Sequence, residues 1–195
     1  MNASHNELLP EDFAGDSRVW IYQSPRLFFL SEALQIETLL EAFVRDWKSH
    51  GTPVKGYANL FYGQFIVLMA DETATGVSGC STDSSVRLIK EIENQFGVNL
   101  FDRLLLAFRI DTKVGPSDVP SPAASKVQMV PLSQLPYALE NGFVNGDTLY
   151  FNNTVQTKAE LENKWLIPLK DSWLASRLPG LSTRTASTAS SAGNA

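Results

Sequence analysis

Nine consecutive residues, Val77-Ser78-Gly79-Cys80-Ser81-Thr82-Asp83-Ser84-Ser85, gather most of the side chains in this chain that could do chemistry. They include its only cysteine, several hydroxyls and an acid. An apolar run precedes them and an amphipathic run follows, so the stretch reads as a polar turn feeding a helix start. Backbone N–H groups left free at a helix start attract anions and favour a thiolate. Cys80 is therefore a candidate nucleophile, with Asp83 as acid, base or orienting group. Gly79, Ser81, Thr82, Ser84 and Ser85 are candidates for cradling a phosphate or carboxylate. Arg103 is the candidate for steadying its charge, and Arg109 a second source of positive charge.

Each candidate has a structural competitor. A cysteine nucleophile needs a base, and the only histidines are His5 and His50. His5 falls in a polar arm, and His50 falls at the end of a helix, where a cation suits the dipole. A lone cysteine is more commonly a small buried residue. The charge of Asp83 repels an anion unless a metal bridges them, and one of the neighbouring hydroxyls is expected to cap the helix. Asp71 and Glu72 follow an apolar strand and read as a solvated strand end. Asp102 and Arg103 read as an ion pair at a strand start. The tryptophans Trp20, Trp47, Trp165 and Trp173 read as core or docking anchors rather than a ligand cage.

These residues must be held by elements whose periodicity is legible. Residues 18–23 alternate Val19/Ile21 against Trp20/Tyr22, a strand pattern. Ser31 is the expected N-cap of a helix in which Ile36, Leu39, Leu40, Phe43, Val44 and Trp47 form one apolar stripe. Gly51 and Pro53 stop it. Residues 54–60 read as a strand, Gly63 as a hairpin turn, and residues 65–70 as a central strand. A second helix is expected from Ser84 to Phe96, with Gly97 as its C-cap, and a fourth strand over residues 104–108. The resulting β-α-β-β-α-β order is compatible with a ferredoxin-like arrangement. Beyond it, residues 115–125 read as a flexible loop, 126–131 as a short strand, 133–141 as a short helix and 148–151 as a strand. Thr157 and Glu160 have capping-box spacing for a helix through Trp165.

Composition narrows the classes. The chain has 195 residues, 44% of them hydrophobic, enough for one core. A net charge of -5 argues against a nucleic-acid surface. One cysteine excludes an intramolecular disulfide, and no Cys/His set suits zinc, so neither metal nor cofactor is expected. The N-terminal residues lack a secretory pattern, and the apolar run at 65–70 is far short of the ~20 residues of a membrane helix. A cytoplasmic protein without membrane insertion is expected.

Several segments carry a family resemblance: Arg18-Val-Trp-Ile-Tyr-Gln, Ser78-Gly-Cys-Ser-Thr-Asp-Ser-Ser-Val86, Phe101-Asp-Arg103, Phe151-Asn-Asn, and Leu161 to Pro168 with Ser172-Trp-Leu. Over residues 8–178 the chain resembles an uncharacterised Bacteroidota family of small proteins commonly labelled "ABC transporter ATPase". The resemblance implies no established activity. Val77-Ser-Gly-Cys-Ser resembles an ABC signature, and residues 65–72 resemble a Walker B strand. Gly-x4-Gly-Lys-Ser/Thr is absent, however, and the two resembling segments stand in the reverse of the ABC order. ATP hydrolysis by that mechanism is disfavoured.

The expectation is one α+β domain over residues 17–178, an antiparallel or mixed sheet with two main helices on one face and a C-terminal extension. It lies between a flexible arm, 1–16, and a disordered Ser/Thr/Ala-rich tail, 179–195. The expected function is a non-catalytic binding or adaptor domain for a partner protein or a small anion. The alternative is a small enzyme with its nucleophile in the Ser78–Ser85 turn.

Overall fold

The computed structural model describes residues 5–71, 79–113 and 120–177. In chain order the elements are β1 (Arg18–Gln23), α1 (Leu30–Asp46), a short hairpin of β2 (Lys48–Ser49) and β3 (Thr52–Pro53), β4 (Lys55–Phe61), β5 (Phe65–Asp71), α2 (Gly79–Phe96), β6 (Leu105–Lys113), β7 (Pro120–Pro131), α3 (Leu135–Glu140), β8 (Leu149–Phe151), α4 (Lys158–Lys164) and β9 (Leu166–Pro168). Two antiparallel sheets organise them, in strand orders β1-β5-β4 and β7-β6-β8-β9.

Every residue of β5 is buried, because β5 is the middle strand of its sheet and both faces are covered. Its alternate residues serve different layers. Ile66 and Leu68 pack with Tyr22 and Leu60 against Ile36 and Leu40 of α1 and Ile89 and Ile92 of α2. Phe65, Val67 and Met69 pack the other way, with Val19 and Ile21, against Ala107 and Phe151 of the second sheet. Strand period 2 thus sorts one apolar run into two cores. Both main helices do lie on one face of the first sheet, as expected, and the fold is α+β.

The local signals hold for local reasons. Tyr62 (φ 53°) and Gly63 (φ 61°) make the tight β4–β5 turn, where two positive φ values match the twist of the strands. Glu160 N donates to Thr157 Oγ1 (3.2 Å), so Thr157 caps α4, and Glu160 Oε2 reaches back to accept from Gln156 N (3.0 Å), one residue before the cap, in a capping-box-like arrangement. Gly56 lies flat under Trp47, and a Cβ there would stand 2.6 Å from Trp47 Cε3. That close approach lets the ring stay 2% exposed.

Several expectations are corrected. The ferredoxin-like order fails because β6 leaves the first sheet and pairs with β7 and β8 in the second. Ser31 is not the cap of α1. The helix starts at Leu30, and Glu32 reaches back to accept from Phe29 N (2.8 Å) while pairing with Arg26 (2.7 Å). His50 lies in the β2–β3 hairpin turn at φ 50°, beyond the end of α1. Residues 120–125, expected as part of a loop, belong to β7, in register with β6 through Asp111↔Ser125 and Lys113↔Pro120. Residues 115–119 of that loop and the tail from 178 onward lie outside the described residues, as do residues 1–4 of the arm. Asp71 is not solvated. Its carboxylate is buried and meets Lys55 Nζ at 3.2 Å, because β4 places Lys55 directly opposite it. Glu72 lies outside the described residues.

The remainder of the N-terminal arm is docked rather than loose. Leu9 and Phe13 are buried in the core shared by the two sheets. Tyr57 Oη donates to Leu8 O (2.7 Å), Lys158 Nζ donates to Phe13 O (3.0 Å), and Lys55 Nζ meets Asp12 Oδ2 (3.2 Å). His5 Nε2 is 3.1 Å from Leu161 O, and its ring meets the Trp165 ring edge-on at 5.1 Å. Burial pushes the His5 pKa below its ordinary 6.5, and the Leu161 and Glu162 backbone and the Glu162 charge recover part of the shift. The undocked imidazole therefore takes a proton at higher pH than the docked one. Docking of residues 5–13 should be tightest above pH 6.5 and weaken as pH falls through the lowered value. Amide exchange across residues 5–13 from neutral pH down to pH ~5 checks this, with unchanged protection counting against it. A His5→Asn variant should flatten the dependence.

Candidate functional site

The nine-residue stretch is not a turn where it is described. α2 begins at Gly79, so Gly79, Cys80, Ser81 and Thr82 form its first turn and Asp83, Ser84 and Ser85 its second. The reason is compositional: no Pro interrupts residues 79–96, and a buried face of Leu88, Ile89 and Ile92 continues back to the buried Ser85. Val77, Ser78 and the side chains of residues 79–82 lie outside the described part. The described side chains enter three environments. Asp83 is exposed. Ser84 lines a shallow groove between α1 and α2. Ser85 is fully buried and hydrogen-bonded to the Tyr22 hydroxyl.

The charge of Arg103 also acts on Tyr22. Burial raises the Tyr22 pKa, and the Arg103 charge and the Ser85 hydrogen bond moderate the rise. Arg103 Nη1 donates to Ile21 O (3.4 Å), while Asp102 Oδ1 accepts from Leu104 N (2.8 Å). The expected Asp102–Arg103 pair is thus replaced by two separate backbone contacts. Arg109 sits on β6, where its charge acts on Tyr62 at the core between the sheets.

Arg103 leads to a cleft of about 510 Å³ between the outer edge of β1 and the second sheet. Val19, Gln23, Leu105, Tyr150, Asn153 and Trp173 line it with Arg103 and Ile21. The edge of β1 is partly used. Val19 N donates to Gln156 O (2.8 Å), and Arg18 bridges Thr157. Backbone groups alternate in direction along an antiparallel strand, so the Ile21 N–H and C=O face the same side as Val19 N. Arg103 accounts for the carbonyl, and by the same alternation the Ile21 N–H lies on that edge of β1.

A hydrogen-bond chain forms the floor. Gln23 Nε2 donates to Leu105 O (2.8 Å), Asn153 Nδ2 donates to Gln23 Oε1 (2.8 Å), and Trp165 Nε1 donates to Asn153 Oδ1 (2.9 Å). Gln23 follows Val19 and Ile21 at period 2 and therefore sits in an apolar row, where a buried amide must find partners. The wall is aromatic. Tyr150 is buried and bonded to the Trp173 side chain, which opposes the upward push of burial on its pKa. Trp173 stays 38% exposed at the mouth.

The sequence pointed to Arg103 in this site and missed Gln23, Tyr150, Asn153 and Trp173. A weak signal existed: Gln23 closes the inward row of β1, and Asn152-Asn153 directly follows an apolar strand. Trp47 and Trp165 are core, as expected, whereas Trp173 belongs to the cleft wall.

Among the described residues no group of three or more His, Cys, Asp or Glu is placed to hold a metal ion. Among them, too, no helix is long and apolar enough to cross a membrane. Neither protein-family models, nor curated proteins, nor solved structures give a match to this chain.

Proposed function

We propose that the protein is a non-catalytic binding module that takes a small anionic organic molecule in the cleft between its two sheets. The observation that carries this reading is the Arg103 guanidinium, held on Ile21 O (3.4 Å) at the outer edge of β1, whose Ile21 N–H shares that edge by strand alternation, in a cleft lined by Tyr150 and Trp173. A cation beside a backbone donor suits a carboxylate or phosphate, and aromatic walls suit a flat apolar body. Its volume, about 510 Å³, lies in the usual range for small-molecule sites. The Gln23–Asn153–Trp165 chain favours the reading because it holds the floor rigid before any ligand arrives. The enzyme alternative draws less support. Its described members diverge: Asp83 faces solvent, Ser84 a shallow groove between α1 and α2, and Ser85 the core, where Tyr22 engages it.

The test is a titration with 2-naphthoate and with inorganic phosphate, followed by the fluorescence of Trp173 at the mouth. Saturable quenching by one of them is expected. Arg103→Met should weaken it about tenfold or more, since charge-assisted hydrogen bonds contribute ~1.5–3 kcal/mol. No saturable response to either anion, or a response that Arg103→Met leaves intact, would sink the proposal.

A further inference from the structure

A second pocket, of about 440 Å³, shares no lining residue with the cleft. It lies on the outer face of the second sheet. There α3 covers one end, where Leu135 and Ala138 pack on Leu106 and Val130. It does not extend over the other end, where Ile110 of β6 stands opposite Lys126 of β7. Ile110, Val130, Ala138 and Val144 make an apolar floor. Tyr137 and Phe143 make one wall. Their rings stack with centroids 6.3 Å apart, yet they remain 62% and 66% exposed. Single exposed apolar residues need no explanation, but two large rings stacked beside an apolar floor form a patch with a shape.

Charge decides what suits it. Lys126 is the only charged residue among the described lining residues, and no hydrogen bond or ion pair among the described residues holds it. In a chain of net charge -5, the described lining residues of this pocket carry one positive charge and no negative one. Gln134 adds an amide at the rim. We propose that this pocket binds a small amphipathic carboxylate. The apolar body lies between the Tyr137–Phe143 pair and Ile110, and the carboxylate meets Lys126. Burial of the body supplies the driving force, and the lysine selects an anion over an alcohol or a cation.

The test uses decanoate, decanol and decyltrimethylammonium, each below its micelle concentration, against the full chain by calorimetry and amide NMR. Decanoate should bind saturably and shift the amides of Ile110, Tyr137 and Phe143. Lys126→Gln should weaken decanoate about fivefold, as befits an exposed charge pair, and leave decanol unchanged. Phe143→Ser, at an exposed position that folding does not depend on, should weaken both. The shifts at Ile110, Tyr137 and Phe143 should persist in Arg103→Met, which separates this pocket from the cleft, where an anion held by Arg103 would shift Ile21 and Tyr150 instead. The proposal is overturned if decanoate fails to saturate, if decyltrimethylammonium binds as well as decanoate, or if Lys126→Gln has no effect. A dimer that forms without decanoate and is lost in Phe143→Ser would also overturn it, because a second copy would then be the occupant.

Discussion

Trp165→Ala is expected to destabilise the protein by about 3–5 kcal/mol, the usual cost of removing a buried aromatic ring. Trp165 is fully buried. Its ring centroid lies 5.5 Å from Phe65, 5.6 Å from Phe61, 5.4 Å from Phe151 and 5.1 Å from His5. These neighbours come from β4, β5, β8 and the N-terminal arm, and this ring meets all four. Their backbones are held by separate hydrogen bonds, so the hole cannot close by a simple shift. The substitution also leaves Asn153 Oδ1 without the indole donor. For a chain of this size the melting temperature should fall by roughly 6–20 °C. Trp165→Phe restores most of the ring but not the hydrogen bond and should cost less. Urea unfolding followed by circular dichroism reads both. A Trp165→Ala protein that melts within two or three degrees of the parent would show that the sheets do not depend on this centre.

The second large effect is expected at Gln23. Leucine there keeps the volume but removes both hydrogen bonds that tie the two sheets, to Leu105 O and from Asn153 Nδ2. Each buried polar group left without a partner costs about 1–3 kcal/mol, and both bonds here are only part-buried, so Gln23→Leu should lose roughly 2–4 kcal/mol, the lower part of the range for two groups. Asn153→Leu should cost a similar amount, since it orphans Gln23 Oε1 and Trp165 Nε1. The double variant should be less destabilised than the sum, with a coupling of about 1–2 kcal/mol. Additive losses would mean that the two amides act independently, and the chain of bonds would not be the unit described. The same variants bear on the proposed binding, because Gln23 and Asn153 line the cleft together with Ile21 and Arg103.

The two positions differ in how they could be read. Trp165 closes the α4 segment that Thr157 and Glu160 announce, so its location at a helix end was legible. Its role as the centre of the core was not, because five rings from distant segments meet there. Gln23 was legible as the end of a strand. Its partner is Asn153, 130 positions away, and no local period connects them. Cys80 and its neighbours drew notice because small polar residues stand close together in the chain. Closeness along a helix separates side chains around its axis, so Asp83 and Ser85 diverge once α2 forms. The arm shows the same limit. Its composition reads as loose, yet Leu9 and Phe13 each complete a distant apolar surface.

The amino-acid sequence by itself determined what depends on neighbours three or four residues away in a helix, or two in a strand. That covers the apolar stripe of α1, the buried run of β5, the turn at Tyr62 and Gly63 and the Thr157 cap of α4. Only the tertiary structure decided which strands share a sheet, that β6 opens a second one, and that a cleft with Arg103 at its edge forms between them. The physical reason is that local periodicity specifies which face of an element is apolar. It does not specify the partner, and any apolar face of matching shape competes for it until the whole core is packed.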